Sequence, residues 1–139
     1  MKVKIGLVLA AFAFGTVASA AVARATSPRA QVVSELRAQH LRMRLDGTFK
    51  YGFFAPPARA YWNSRGAVIL WQFRSAALSA RAAATIRADG NAIGGHAVLW
   101  KGLPHWFHRG RVIVLYLGST ASIQRALARV LGAQIAGSP

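Results

Sequence analysis

Two apolar runs frame the chain, Ala67–Phe73 and Val112–Leu117. Neither alternates regularly with polar residues, the pattern of strands covered on both faces. Val68, Ile69, Val112, Ile113 and Val114 are β-branched and suit an extended backbone. The same lead-in precedes both runs. Trp62-Asn63-Ser64-Arg65-Gly66-Ala67-Val68-Ile69 and Trp106-Phe107-His108-Arg109-Gly110-Arg111-Val112-Ile113 both read W-x-x-R-G-x-V-I, at an offset of 44 residues. The register continues through Ser75 and Ser119, and through Arg81 and Arg125. This spacing predicts a duplicated strand–strand–helix unit, with one copy over residues 58–90 and a second over 96–133. In each copy Gly66 or Gly110 supplies the positive φ of a tight turn, and Ser75 or Ser119 caps the helix that follows.

The helices are read from their apolar stripes. Leu78, Ala82 and Ile86 mark the first, which Asp89-Gly90 ends. Ile123, Leu127, Val130 and Leu131 mark the second, which Gly132 ends. Arg87 and Arg129 then stand near helix C-termini, where the macrodipole favours cations. Gly94-Gly95 reads as a linker and His96–Trp100 as a further strand. Two such helices on one face of an antiparallel sheet make a two-layer α+β sandwich, with a pseudo-two-fold axis if the copies pair.

Residues 21–57 read as a helix followed by a hairpin or extended segment. Ser27-Pro28 is an N-cap and N1 pair, and Val32, Val33, Leu36, His40 and Met43 follow at helical spacing. Leu41–Leu45 alternates instead, and Asp46-Gly47 signals a turn. A helix to about His40 and a hairpin around Leu45-Asp46-Gly47 reconcile the two signals, with Met43 facing Phe49 and Leu41 facing Tyr51. Residues 134–139 read as a tail.

Residues 1–20 have the layout of a secretory signal: Lys2 and Lys4, an apolar stretch from Ile5, and Ala18-Ser19-Ala20. Ala23-Arg24-Ala25 offers a second cleavage site. The uncharged stretch from Ile5 to Ala23 allows an alternative, an uncleaved anchor over 5–23. The expected location is therefore periplasmic or secreted. The chain has no Cys, which excludes disulfides, zinc-thiolate sites, thiol catalysis and a lipid-anchoring cysteine.

Charge changes the picture most. Lys and Arg number 18 against 3 Asp and Glu, for a net charge of +15, and loss of Lys2 and Lys4 would leave +13. Such a field favours anionic partners. The arginines are spread along the chain rather than run together, and a protein working in acid would also carry few carboxylates.

Candidate chemistry is sparse. His105 and His108 form an H-x-x-H pair and are weak metal candidates. Strand alternation would put them on opposite faces, no carboxylate is near in sequence, and Arg109 and Arg111 would repel a cation. Glu35, Asp46 and Asp89 lie far apart and each has a structural place to fill. No nucleophile elbow or phosphate-binding loop is present. Neither a catalytic residue nor a cofactor is expected. The anion-binding candidates are Arg65, Arg74, Arg109 and Arg111, with the helix starts at Ser75 and Ser119. Strand direction suggests that the R-G turns and the helix starts form two separate basic surfaces. These readings together imply a non-catalytic binding or interaction module for anionic surfaces or an acidic protein partner. Trp and Arg interleaved along the chain leave an extracytoplasmic nucleic-acid-binding protein as one alternative. A membrane-tethered accessory subunit is another, if 5–23 is retained. Within the opening of the second copy, His105, Phe107, His108 and Arg111 have no counterpart in the first and are the residues to inspect for a specific role.

Overall fold

The computed structural model describes residues 26–139, so the predicted signal or anchor lies outside the described residues. The chain is α+β. Helix α1 (Pro28–Ala38) is followed by strands β1 (Arg44–Phe49), β2 (Ala58–Asn63) and β3 (Gly66–Gln72), then α2 (Ala76–Ala84). A short hairpin, β4 (Ala92–Ile93) and β5 (His96–Ala97), leads to β6 (Pro104–Arg109), β7 (Val112–Leu117), α3 (Ala121–Leu131) and β8 (Ala136–Gly137). Six strands form one antiparallel sheet in the order β1-β2-β3-β7-β6-β8.

The two apolar runs are the central strands, paired antiparallel from Ala67↔Leu117 to Gln72↔Val112. Alternation sends their side chains to two cores on opposite faces. Val68, Leu70, Val112, Val114 and Tyr116 meet Val32, Val33 and Leu36 of α1 and Ile123, Leu127 and Leu131 of α3. Ile69, Trp71, Ile113 and Leu115 meet Phe54, Phe73, Trp106 and, from α2 and just beyond, Ala82, Ala83 and Ile86. The helices therefore cover both faces, and the expected two-layer sandwich with helices on one face is corrected to three layers. The unbroken apolar runs follow from this arrangement, because a strand with a core on each side has no solvent face.

The strand pairing is symmetric about the centre of the sheet, and the turns and helices are not. Leu70 pairs with Val114, its own counterpart at the 44-residue offset, and the β2–β3 and β6–β7 hairpins flank that pair symmetrically. The turns are out of step. β2 turns at Ser64-Arg65, between Asn63↔Gly66, whereas β6 turns two residues later at Gly110-Arg111, between Arg109↔Val112. Asn63 fixes the earlier turn, because its Oδ1 accepts from Arg65 N at 2.8 Å, and Phe107 at the matching place cannot. Trp62 consequently sits near its turn, 47% exposed, while Trp106 lies deep in its strand at 0%. The helices also leave for opposite faces, α2 to one and α3 to the other.

Four local expectations change. Residues 44–49 form a single edge strand that pairs with β2, with a bulge at Asp46, so no hairpin closes on Leu45-Asp46-Gly47. Helix α2 ends at Ala84, and Asp89-Gly90 belongs to a separate turn in which Asp89 binds Arg87. Gly94-Gly95, at φ 59° and 81°, is the two-residue turn of β4–β5 rather than a linker, and the second strand there stops at Ala97. The tail supplies β8, which pairs with His105 and Trp106 at the sheet edge.

Candidate functional site

Antiparallel pairing of β3 with β7 decides which basic residues meet. The end of β3 lies beside the start of β7, so Arg74 and Ser75 stand by the Gly110-Arg111 turn. Phe73 N donates to Arg111 O and Arg111 Nε donates to Phe73 O, both at 2.8 Å. The start of β3 lies beside the end of β7, so Arg65 stands by the start of α3. Tyr116 Oη joins them, donating to Arg65 O at 2.9 Å and accepting from Thr120 N at 3.2 Å. The β2–β3 turn thus neighbours the start of α3 and the β6–β7 turn the start of α2, which corrects the expected separation of turns from helix starts.

The six candidates fare differently. Ser75 caps α2 and accepts from Leu78 N at 3.1 Å. Ser119 does not cap α3; Thr120 occupies that place, without a side-chain hydrogen bond. Arg109 is already engaged. Its guanidinium forks onto Glu35, at 2.6 Å and 3.2 Å, and donates to Val130 O at 2.7 Å, joining α1 to the end of α3. Those hydrogen bonds hold the Glu35 carboxyl below the usual carboxylate range and raise the Arg109 guanidinium. Arg111 is tied to Phe73 through Nε. Arg65 and Arg74 are exposed and meet no carboxylate among the described residues.

The histidine pair does not converge. His105 is buried, stacks on Tyr116 and sets Nε2 against Gly118 O at 2.8 Å and Nδ1 against Gln134 at 3.1 Å. His108 lies on the other face, with Nε2 3.0 Å from Gly110 O. No group of three metal-capable side chains occurs among the described residues. His105 and Phe107 thus belong to the core, and Arg111 to a backbone tie.

A larger feature joins Arg74 to residues that the sequence reading passed over. A cleft of about 790 Å³ opens between α2 and the aromatic segment before β2. Phe53, Phe54, Pro56 and Phe73 form its apolar walls, and Leu78, 46% exposed, lies at its margin. Arg74 and Arg81 line it and no carboxylate does. Leu78 was expected on the buried stripe of α2, but Ser79 takes the fully buried position. Beneath the cleft Trp71 stacks on Trp106 at 5.6 Å and meets Phe54 edge-on at 5.2 Å. The packed rings give the cleft a rigid floor. The sequence signal for this site was the run Tyr51-Gly-Phe-Phe-Ala-Pro-Pro57, too aromatic for a solvent loop.

Across the described residues, Arg87 and Arg109 alone among Lys and Arg pair with carboxylates. Arg29 shows the crowding of the remainder: burial lowers it most, and neighbouring Arg59 lowers it further. Comparison with family models, with curated proteins and with solved structures returns no match.

Proposed function

We propose that the protein is an extracytoplasmic, non-catalytic binding module for anionic surfaces, and that the surface is an anionic lipid layer. The observation that carries this reading is the cleft, in which aromatic and proline walls stand beside two arginines with no acid among them. An apolar hollow takes chain or interfacial hydrocarbon, and Arg74 and Arg81 take the charged head. Arginine suits that task because its planar fork binds phosphate and carboxylate oxygens in pairs. Burial of Trp71, Trp106, Phe107 and Tyr116 removes most of the rings on which bases could stack and leaves Trp62 exposed, which favours lipid over nucleic acid. The signal peptide over residues 1–20 and descent from a duplicated strand–strand–helix unit belong to the same proposal. The Leu70↔Val114 pairing supports the duplication.

Vesicle flotation tests it. The purified protein is expected to float with vesicles containing phosphatidylglycerol, to bind neutral phosphatidylcholine vesicles weakly, and to release as salt rises. Failure to bind anionic vesicles at low salt would remove the reading. Stronger binding to DNA, with a steep fall of log K against log salt, would favour the nucleic-acid alternative.

A further inference from the structure

We infer that the loop between β5 and β6, residues 98–103, inserts into the interfacial layer of the same anionic membrane, an inference that rests on the lipid reading of the cleft. Val98-Leu99-Trp100-Lys101-Gly102-Leu103 is apolar at four of its six positions and holds no acid. The sequence predicts a strand through Trp100, yet β5 stops at Ala97 and the residues that follow join no sheet. Leu99 is 100% exposed and Leu103 is 51% exposed. Turns are ordinarily polar, and apolar side chains gathered in one are unfavourable in water unless something covers them.

The loop is tied at both ends. Val98 N donates to Asn91 O at 2.8 Å, and Gly118 N donates to Leu103 O at 3.1 Å. Between these ties Trp100 packs inward. Its Nε1 donates to Gly90 O at 3.0 Å, and its ring meets Trp106 at 5.9 Å and Phe53 at 6.0 Å, both edge-on. Trp100 is thereby committed to the ring cluster while its neighbour Leu99 stays in water. A loop ordered in advance loses little entropy on binding.

Two observations favour a bilayer as the cover. Phe53 is a wall of the cleft as well as a partner of Trp100, so the loop and the cleft adjoin through one ring. Charge is the second. Lys101 belongs to the loop, Arg74 and Arg81 line the cleft, and Asp89 in the adjoining turn is neutralised by the Arg87 fork at 2.9 Å and 2.6 Å. Leucines that enter hydrocarbon beside cations held at the headgroups suit an anionic interface.

The chain has no Cys, so Leu99→Cys offers a single position for an environment-sensitive fluorophore. Ser122→Cys, exposed in the first turn of α3 over the other face, is the control. With phosphatidylglycerol vesicles the label at 99 should shift to the blue and be quenched by lipids brominated on their acyl chains, and the label at 122 should do neither. Leu99→Ser touches no part of the core and should weaken flotation by about tenfold, the loss expected when one leucine no longer leaves water. Leu103→Ser should act in the same direction. No flotation of the unchanged protein would remove the lipid reading and this inference together. Flotation with the label at 99 unquenched, equal quenching at 122, or undiminished binding of Leu99→Ser would overturn the role of the loop and leave the cleft reading standing.

Discussion

Gly66 and Gly110 hold the same place in the repeated sequence and meet different surroundings. Gly66 has φ 133° and opens β3, where a Cβ would collide with the Leu117 carbonyl of the neighbouring strand. Gly110 has φ 55° in the turn, and nothing stands near the place of a Cβ. Gly66→Ala should therefore cost about 2–3 kcal/mol through both strain and displacement of the central strand pair. Gly110→Ala should cost only about 1 kcal/mol, the penalty of a left-handed residue. Urea unfolding of the two variants measures the difference, and equal losses would contradict it. The sequence made both glycines legible as turn residues, but it could not show that Asn63 draws the first turn two residues earlier. A second residue-scale contrast lies in the aromatic floor. Trp106 Nε1 donates to Gly90 O at 3.1 Å, whereas the buried Trp71 Nε1 has no partner. Trp106→Phe should thus be more destabilising than Trp71→Phe by about 1 kcal/mol, because only the former breaks a hydrogen bond. Thermal unfolding decides the order.

At the scale of elements, α1 was legible from Ser27-Pro28 and its apolar spacing, and Ser27 Oγ does accept from Ala30 N. The faces of the other helices were not legible. Val68 matches Val112 and Ile69 matches Ile113, so the two central strands offer the same choice of face twice. Helix α3 has a broad stripe of Ile123, Leu127 and Leu131 and takes one core. Helix α2 is largely alanine and needs the rings of residues 51–54 to complete the other, and those rings lie outside the repeat. Residues 44–49 were read as a hairpin or an extended segment because Asp46-Gly47 is a turn signal by composition, while in the fold Asp46 sits at a bulge on a single edge strand. The Glu35–Arg109 pair ties α1 to β6 across 74 residues and had no sequence signal.

That pair also gives a pH dependence. Glu35 is held below its ordinary 4.5, so its contribution is complete above that value and is lost as pH falls through the depressed folded value. Its side chain is 38% exposed, and the coupling to Arg109 should be below about 1 kcal/mol. Unfolding measured from neutral pH down through the acid range should show Glu35→Gln converging on the unchanged protein at low pH. A gap that persists there would contradict an ionic role. Asp89 is lowered to about 2 by Arg87 and by the backbone of Asn91, but its loop is exposed and should respond locally rather than by global unfolding.

For the whole molecule, charge was fully legible and its disposition was not. The sequence showed many cations and few acids; the fold assigns Arg109 and Arg111 to structural ties and leaves Arg65 and Arg74 at separate pockets. The apolar cleft escaped the sequence reading because its walls come from a loop, a strand end and the exposed side of a helix. A generic basic surface and a defined cleft make different demands on where the charge lies. The most direct test therefore compares two double variants that remove the same charge. Arg74→Ala/Arg81→Ala strips the cleft, and Arg125→Ala/Arg129→Ala strips exposed positions on α3 over the other face. In flotation with phosphatidylglycerol vesicles at fixed salt, the cleft variant should lose binding by about tenfold or more, while the α3 variant should lose only the small part owed to net charge. Equal loss by the two variants would contradict the cleft as the place where an anionic lipid is held.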